Sequence, residues 1–207
     1  IINFGVKNST GDYIIQLNND TELMTPNWIQ EMLGFAQRED VGAVGVELFY
    51  PDNTIQHAGI IIGIGGVAGH VFKNLPKGIH GYFSKDAMIQ NLSAVTAACI
   101  MTPKSIYDDV DYMDEKFKVA FNDVDFCLKI REKGKLIVYN PFVQFKHYES
   151  KSRGFEDTPE KKERFQAEID RFHDKWQSVL DKGDPYYNIN LRLDNDQCAI
   201  RTEKVEY

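Results

Sequence analysis

The chain has 207 residues, with 24 Lys and Arg against 31 Asp and Glu and a formal net charge of -7. That balance argues against a mainly electrostatic nucleic-acid or anionic-membrane binder, and 43% apolar with 12% aromatic residues excludes disorder throughout. The cysteines Cys99, Cys127 and Cys198 show no CxxC or metal-like spacing and suit a reducing compartment. The longest weakly polar stretch, 58–69, is glycine-rich and too short to cross a bilayer, and no signal peptide opens the chain.

In chain order, residues 1–8 read as a short helix ending at the Ser9-Thr10-Gly11 turn, followed by a strand over 13–17. The polar cluster Asn18-Asn19-Asp20 comes next. In α/β proteins ligands gather at the carboxyl ends of strands, although such a cluster is equally a polar turn capping the next helix. Thr25 and Pro26 look like an N-cap and first helical residue, with Trp28, Met32 and Phe35 at packing spacing. Residues 42–48 read as a buried strand, 51–53 as a turn and 54–62 as a further strand. From 63 to about 91 the pattern fails, glycine is dense, and His70, His80, Lys73, Lys77 and Lys85 are scattered through it. An irregular segment of that length suggests a binding loop.

Residues 92–101 form a predicted strand of small and branched residues, with Thr102 capping a short helix begun by Pro103. Asn122 or Asp123 starts a helix whose Val124, Cys127, Leu128 and Ile130 share a face, ending near Gly134. A strand over 136–139 is expected to stop at Pro141, with a separate strand over 142–148 carrying His147. Residues 150–159 are charged and loose. The longest helix spans 160–180, with Phe165, Ile169, Phe172, Trp176 and Val179 as one stripe, and an aromatic tail follows that lies over the body of the domain. No repeat, low-complexity tract or domain boundary stands out.

Three elements carry chemistry if the fold brings them together: Asn18-Asn19-Asp20, Asn122-Asp123-Val124-Asp125 and His147. A carboxylate, an amide oxygen and an imidazole suit a divalent ion such as manganese or magnesium, useful where a diphosphate leaves. Asp123, apart from the metal, is the candidate proton acceptor. Set against this, Asp at a helix start is a common cap, and a single histidine is more often structural.

Several strings, in order, carry a resemblance: Gly11-Asp12-Tyr13 through Leu17-Asn18-Asn19-Asp20-Thr21-Glu22, Ile55-Gln56-His57-Ala58-Gly59, and the 63–70 segment ending in Gly69-His70. Further on come Gly81-Tyr82-Phe83, the 93–99 segment, Phe121-Asn122-Asp123-Val124-Asp125, His147-Tyr148-Glu149-Ser150-Lys151-Ser152-Arg153-Gly154, and Asp184-Pro185-Tyr186-Tyr187-Asn188. Together they resemble the later part of a family 2 glycosyltransferase, the inverting nucleotide-sugar enzymes of GT-A fold, closest to bacterial rhamnosyl and polysaccharide-building members. The resemblance implies an α/β fold with a mixed central sheet flanked by helices. It makes 1–159 a metal and acceptor core and 160–207 a helix and tail packing on it.

It also implies site roles. Asp20 is the main carboxylate of a metal-binding Asp-X-Asp motif whose first Asp is Asn18 here, and His147 completes the manganese or magnesium and diphosphate site. Asp123 is the catalytic base, with Asn122 where the family has Glu, and Asp125 caps the helix or positions sugar hydroxyls. Thr96 and Ala97 lie in the sugar-pocket wall, and Lys151 and Arg153 reach the phosphates of a UDP- or dTDP-linked donor from a closing loop. Partners would be that donor and a glycan acceptor, not nucleic acid. The location would be cytoplasmic, at the inner face of a membrane through parts outside this chain.

Two departures qualify the resemblance. Asp111-Tyr112-Met113-Asp114-Glu115 stands where the family has Gly-Gly-Phe-Asp-Glu, so that turn is expected to be reshaped. Roughly 80 to 100 front residues holding the first strands and the nucleotide-base pocket are expected to precede this chain in a whole domain. Their absence would expose a sheet edge, to be covered by a homodimer or by the C-terminal segment, and would leave this piece alone inactive. Two other readings stay open: a nucleotidyl- or pyrophosphoryl-transferase on a similar sheet, and a non-catalytic carbohydrate- or partner-binding module using Tyr82 and Tyr186.

Overall fold

A computed structural model describes residues 1–148 and 158–202. The opening helix forms as α1 (Ile2–Asn8), and β1 (Tyr13–Leu17) follows. A strand that the sequence did not suggest, β2 (Thr21–Leu23), comes directly after the Asn18-Asn19-Asp20 cluster. Helix α2 (Trp28–Ala36) begins later than Thr25-Pro26 implied, with Asn27 at its cap position. Thr25 is used differently: its hydroxyl donates to the Phe142 carbonyl at 3.1 Å and accepts from the Gln144 amide at 3.0 Å.

Strand β3 (Val41–Phe49) is buried along its whole length, as a central strand covered on both faces must be. The expected strand over 54–62 is two: β4 (Ile55–His57) and β5 (Ile60–Ile62), separated at Gly59, whose φ of +109° favours glycine. The irregular segment expected over 63–91 contains β6 (Ala68–His70), which forms a hairpin with β5, and β7 (Gln90–Leu92). The expected strand over 92–101 is also split, because β8 (Cys99–Pro103) begins only after residues 93–98 have crossed over β3. The crossing is close: a Cβ at Gly45 would lie 2.5 Å from Val95 Cβ, so the Val95 side chain packs on the β3 backbone only without one.

Thr102 is buried inside β8 rather than capping a helix, and Pro103 takes the cap position of α3 (Lys104–Asp109). Asp111 and Tyr112, standing where the resemblance implies glycines, both have left-handed backbone, φ 54° and 55°. Two consecutive non-glycine residues thus adopt a backbone that glycine takes most easily. Helix α4 (Asn122–Glu132) starts after Phe121, itself left-handed at φ 61°.

Pro141 does not end a strand. β9 (Leu136–His147) is continuous, and its parallel register against β3 jumps from Val46 opposite Asn140 to Glu47 opposite Gln144. Residues 141–143 are thrown out as a bulge, which removes the proline from the ladder its missing N–H would break. Helix α5 (Pro159–Lys182) has Thr158 as its cap, accepting from the Lys161 amide at 3.4 Å, with Pro159 in the first turn.

The main sheet runs β1-β8-β3-β9-β2, with β4 added on β3 and β7 on β9; among the described residues only β3 and β9 are parallel. One core, with Met32, Val44, Val46, Leu48 and Phe145, lies under α2. The other packs α4, α5 and the 58–72 segment against the opposite face. Of the α5 stripe, Phe172 and Trp176 are buried, Ile169 and Val179 pack at the margin, and Phe165 stacks on Phe121. Asp125, expected to cap α4 or face a sugar, is instead fully buried and binds Trp176 Nε1 at 2.8 Å and Lys175 Nζ at 2.6 Å. It fixes α5 to α4.

The tail packs on the 58–72 segment. The Asp184 carboxylate accepts from the Ile62 amide at 2.8 Å, Gly65 donates to Leu193 O at 2.9 Å, and Phe72 donates to Asp196 O at 2.7 Å. Among the described residues β1 pairs with β8 alone, so no described part of the tail pairs with its other edge, where one expectation had the C-terminal segment. No helix among the described residues is long and apolar enough to cross a membrane.

Glu47, on β3, is buried and hydrogen-bonded by Gln144 Nε2 at 2.7 Å. Burial pushes its carboxyl from 4.5 up to about 8. The unfolded chain sheds this proton near 4.5 and the folded chain near 8, so between them the folded state binds more protons and stability falls as pH rises. Glu47→Gln removes that decline, at most about 1.4 kcal/mol per pH unit. Urea unfolding of both proteins at pH 5 to 8 checks it, the variant gaining on the wild type toward pH 8.

Candidate active site

β1 delivers the chain to Asn18, whose amide donates to Ala98 O at 2.9 Å. The backbone then reverses into β2, which pairs antiparallel with the end of β9, Thr21 opposite His147. The Tyr148 amide closes the pairing on Asp20 O at 2.8 Å. This short strand brings the cluster and His147 together across more than a hundred residues of chain. His147 Nε2 lies 3.1 Å from Asp20 Oδ1 and 3.1 Å from Asn18 Nδ2.

The other ring nitrogen is fixed from β4. His147 Nδ1 donates to Gln56 Oε1 at 2.7 Å, since a side-chain amide oxygen can only accept. In the neutral ring Nε2 then bears only a lone pair, which receives the Asn18 amide but faces the Asp20 oxygen unfavourably. A cation between them, or a second ring proton, relieves that contact. An imidazole nitrogen held by an outer hydrogen bond, beside a carboxylate, is a donor set that fits manganese or magnesium. Among the described residues no group of three or more His, Cys, Asp or Glu gathers to hold a metal, so the remaining positions would fall to Asn18, water or ligand oxygens.

Asp20, Asn18, His147, Thr96 and Asp123 line one cleft of about 370 Å³. Asp123 sits in the first turn of α4, its Oδ2 accepting from the Ala97 amide at 3.2 Å and its Oδ1 from the Val124 amide at 2.9 Å. Each oxygen keeps a further lone-pair direction, so the arrangement offers a fixed carboxylate beside an imidazole–carboxylate pair. The preceding turn is held by α5: buried Glu168 accepts from the Val119 and Ala120 amides at 2.8 and 3.1 Å. Asn122, in the family's Glu position, donates to Val119 O at 3.2 Å.

The structure thus assembles Asn18, Asp20, Thr96, Asp123 and His147. Thr96 lies in the 93–98 crossing segment, not in a strand, and Ala97 contributes its amide to Asp123. Lys151 and Arg153 lie outside the described residues. Tyr82 and Tyr186, the suggested stacking platform, are packed against the core, Tyr82 edge-on to Phe83 at 4.7 Å and Tyr186 under Arg131 at 5.2 Å.

Sequence reasoning missed Gln56, His57, His70 and Glu168. His57 is fully buried, and burial, then the nearby His70 and His147, keeps its ring neutral by lowering its pKa well below 6.5. The Thr96 amide donates to its Nε2 at 3.4 Å, which leaves the proton on Nδ1 to donate to His70 Nδ1 at 3.0 Å. His70 lines the cleft. Gln56 and His57 are adjacent at the cleft end of β4, Gln56 bonded to His147 and His57 to His70.

The sequence matches the family model "Glycosyl transferase family 2" over residues 2–111. It is 44% identical over 203 residues to the uncharacterized protein y4gI of Sinorhizobium fredii (strain NBRC 101917 / NGR234), covering 98% of this chain and 22% of that one. It is 35% identical over 209 residues to the O-antigen biosynthesis protein RfbC of Myxococcus xanthus, covering 97% of this chain and 16% of that one. The chain therefore spans less than a quarter of either relative. Its fold is similar to that of GalNAc-T7, solved with UDP, GalNAc and Mn2+, at a TM-score of 0.55 and 10% identity over 86% of this chain and 35% of that one.

Replacing Gln56 by Leu strands the His147 Nδ1–H and should cost about 1–3 kcal/mol of stability. Nitrogen NMR of the His147 ring reports the cause: protonation at Nδ1 in the wild type, and a mixture of tautomers in Gln56→Leu. An unchanged ring signal would separate any stability loss from the tautomer.

Proposed function

The chain belongs to glycosyl transferase family 2, and from that membership we propose that its cleft serves metal-assisted, inverting transfer of a sugar from a nucleotide-diphosphate donor to a glycan acceptor. It is a glycosyltransferase domain of GT-A fold. The observation that carries the reading is Asp123, a carboxylate held by two backbone amides in the same cleft as the Asp20–His147 pair. Asp123 takes the proton of the acceptor hydroxyl as that oxygen attacks the anomeric carbon opposite the departing diphosphate, so the configuration inverts.

Asp20, His147 and Asn18 would hold manganese or magnesium. When bound, the ion supplies neutralisation of the charge that grows on the leaving diphosphate. Gln56 keeps the His147 proton on Nδ1 and its Nε2 turned to Asp20. In this reading Thr96 stands beside the donor sugar, and Lys151 and Arg153, outside the described residues, are assigned to its phosphates on the resemblance alone. The UDP and Mn2+ in the GalNAc-T7 structure support a UDP-type donor and manganese, with dTDP the other candidate. RfbC's role in O-antigen biosynthesis supports a cell-surface polysaccharide as acceptor. Such donors are made in the cytoplasm, which supports a reaction there or at the inner membrane face. A second copy pairing along β1 is the proposed dimer.

In the intact protein, Asp123→Asn should lower kcat by about 10²–10⁴-fold while leaving donor binding in place. Asp20→Ala should abolish manganese binding in a calorimetric titration. Turnover unaffected by Asp123→Asn would overturn the assignment of the base and favour a binding module.

A further inference from the structure

Lys73 also lines the cleft, at the end of the 58–72 segment. The residues on either side of it have left-handed backbone, Phe72 at φ 59° and Asn74 at φ 65°. For a bulky aromatic such a conformation is uncommon, and it persists only where the surroundings enforce it. Here they do. The Phe72 amide donates to Asp196 O at 2.7 Å, the Asn74 amide to Ile55 O at 2.8 Å, and Gln197 Nε2 to Lys73 O at 3.0 Å. Tail and β4 grip the turn from two sides, and Phe72 is buried.

The side chain presented this way has no carboxylate partner among the described residues. Its ammonium stands over the Tyr50 ring at 6.0 Å, and the lysine is only half-buried. Lysines on surface turns need no strained backbone, and a cation in a cleft that also contains Asp20 and Asp123 would ordinarily pair with one of them. An ammonium carried on a rigidly held turn, with no ion pair among the described residues, is suited to an anion brought in from outside, phosphate above all.

We infer that Lys73 is a phosphate-binding residue of this cleft, its ammonium taking an oxygen of a diphosphate bound there. The inference rests on the reading that the cleft receives a diphosphate-linked sugar. Two sources share that chemistry, a soluble nucleotide donor and a lipid-linked diphosphate acceptor. The charge of Lys73, not its packing, does the binding, so Lys73→Gln keeps the stem over Tyr50 and the turn intact.

The test titrates inorganic pyrophosphate, UDP and farnesyl diphosphate, each with manganese present, into the wild type, Lys73→Gln and Lys73→Arg by calorimetry. Lys73→Gln should weaken pyrophosphate about tenfold or more, and Lys73→Arg should recover most of it. Manganese affinity without phosphate and the thermal midpoint should both be unchanged. A loss for UDP identifies the nucleotide donor as the source, and a loss for farnesyl diphosphate alone identifies a lipid diphosphate. Equal pyrophosphate affinity in wild type and Lys73→Gln overturns the inference, as does a wild type that binds no pyrophosphate. The wider reading fails separately, if manganese binds equally to wild type and Asp20→Ala.

Discussion

The parallel pairing of β3 with β9 is the constraint on which the rest of the molecule depends. A strand that ended at Pro141 would leave His147 in a loop and β2 without a partner. The bulge at 141–143 lets the ladder resume at Gln144, and the three residues beyond it carry the strand to the point where Thr21 meets His147. The same resumption places Gln144 against Glu47 and gives Thr25 its two bonds, one to Phe142 in the bulge and one to Gln144 just after it. One local irregularity in a buried strand thus fixes the Asp20–His147 pair, the entry to α2 and a buried carboxyl of raised pKa.

The cleft is built from two kinds of support. Asp20 and His147 are held by strand pairing, which is set by backbone register and is stiff. Asp123 hangs on amides and on a turn gripped by Glu168, so its position depends on α5, itself pinned through Asp125 to Lys175 and Trp176. The Asp20–His147 pair and Asp123 are therefore secured by separate parts of the fold.

Much of this was legible in the sequence, for stated reasons. Asn18, Asp20, Asp123 and His147 belong to strings whose order and spacing are shared with a family, and helix α4 announces itself by Val124, Cys127, Leu128 and Ile130. What was not legible is instructive. β2 spans three residues with no alternating pattern to reveal it. The segment 92–101 looks like one strand because Ala94, Val95 and Ala98 are small and apolar, yet those residues are buried by crossing β3 rather than pairing in the sheet. Asp125 looked like a cap or a sugar contact because its partner Trp176 lies on a different helix, a relation that local spacing cannot express. Gln56 and His57 carried no signal beyond the resemblance, since a hydrogen bond to an imidazole has no sequence period.

The family match ends at residue 111, but β3 and β9 lie on opposite sides of that point, as do Asp20 and His147. A chain severed there would yield two parts, neither holding a complete sheet: the first with its central strand bare along one side, the second with β9 stripped of all three strands it pairs with. Each half would bear a long apolar edge matched to the other alone. Co-expressed, such halves have the complementarity of a split protein, able to regain the cleft only by reassociating, and the gap between Asp111 and Asp123 becomes a natural seam for that kind of engineering.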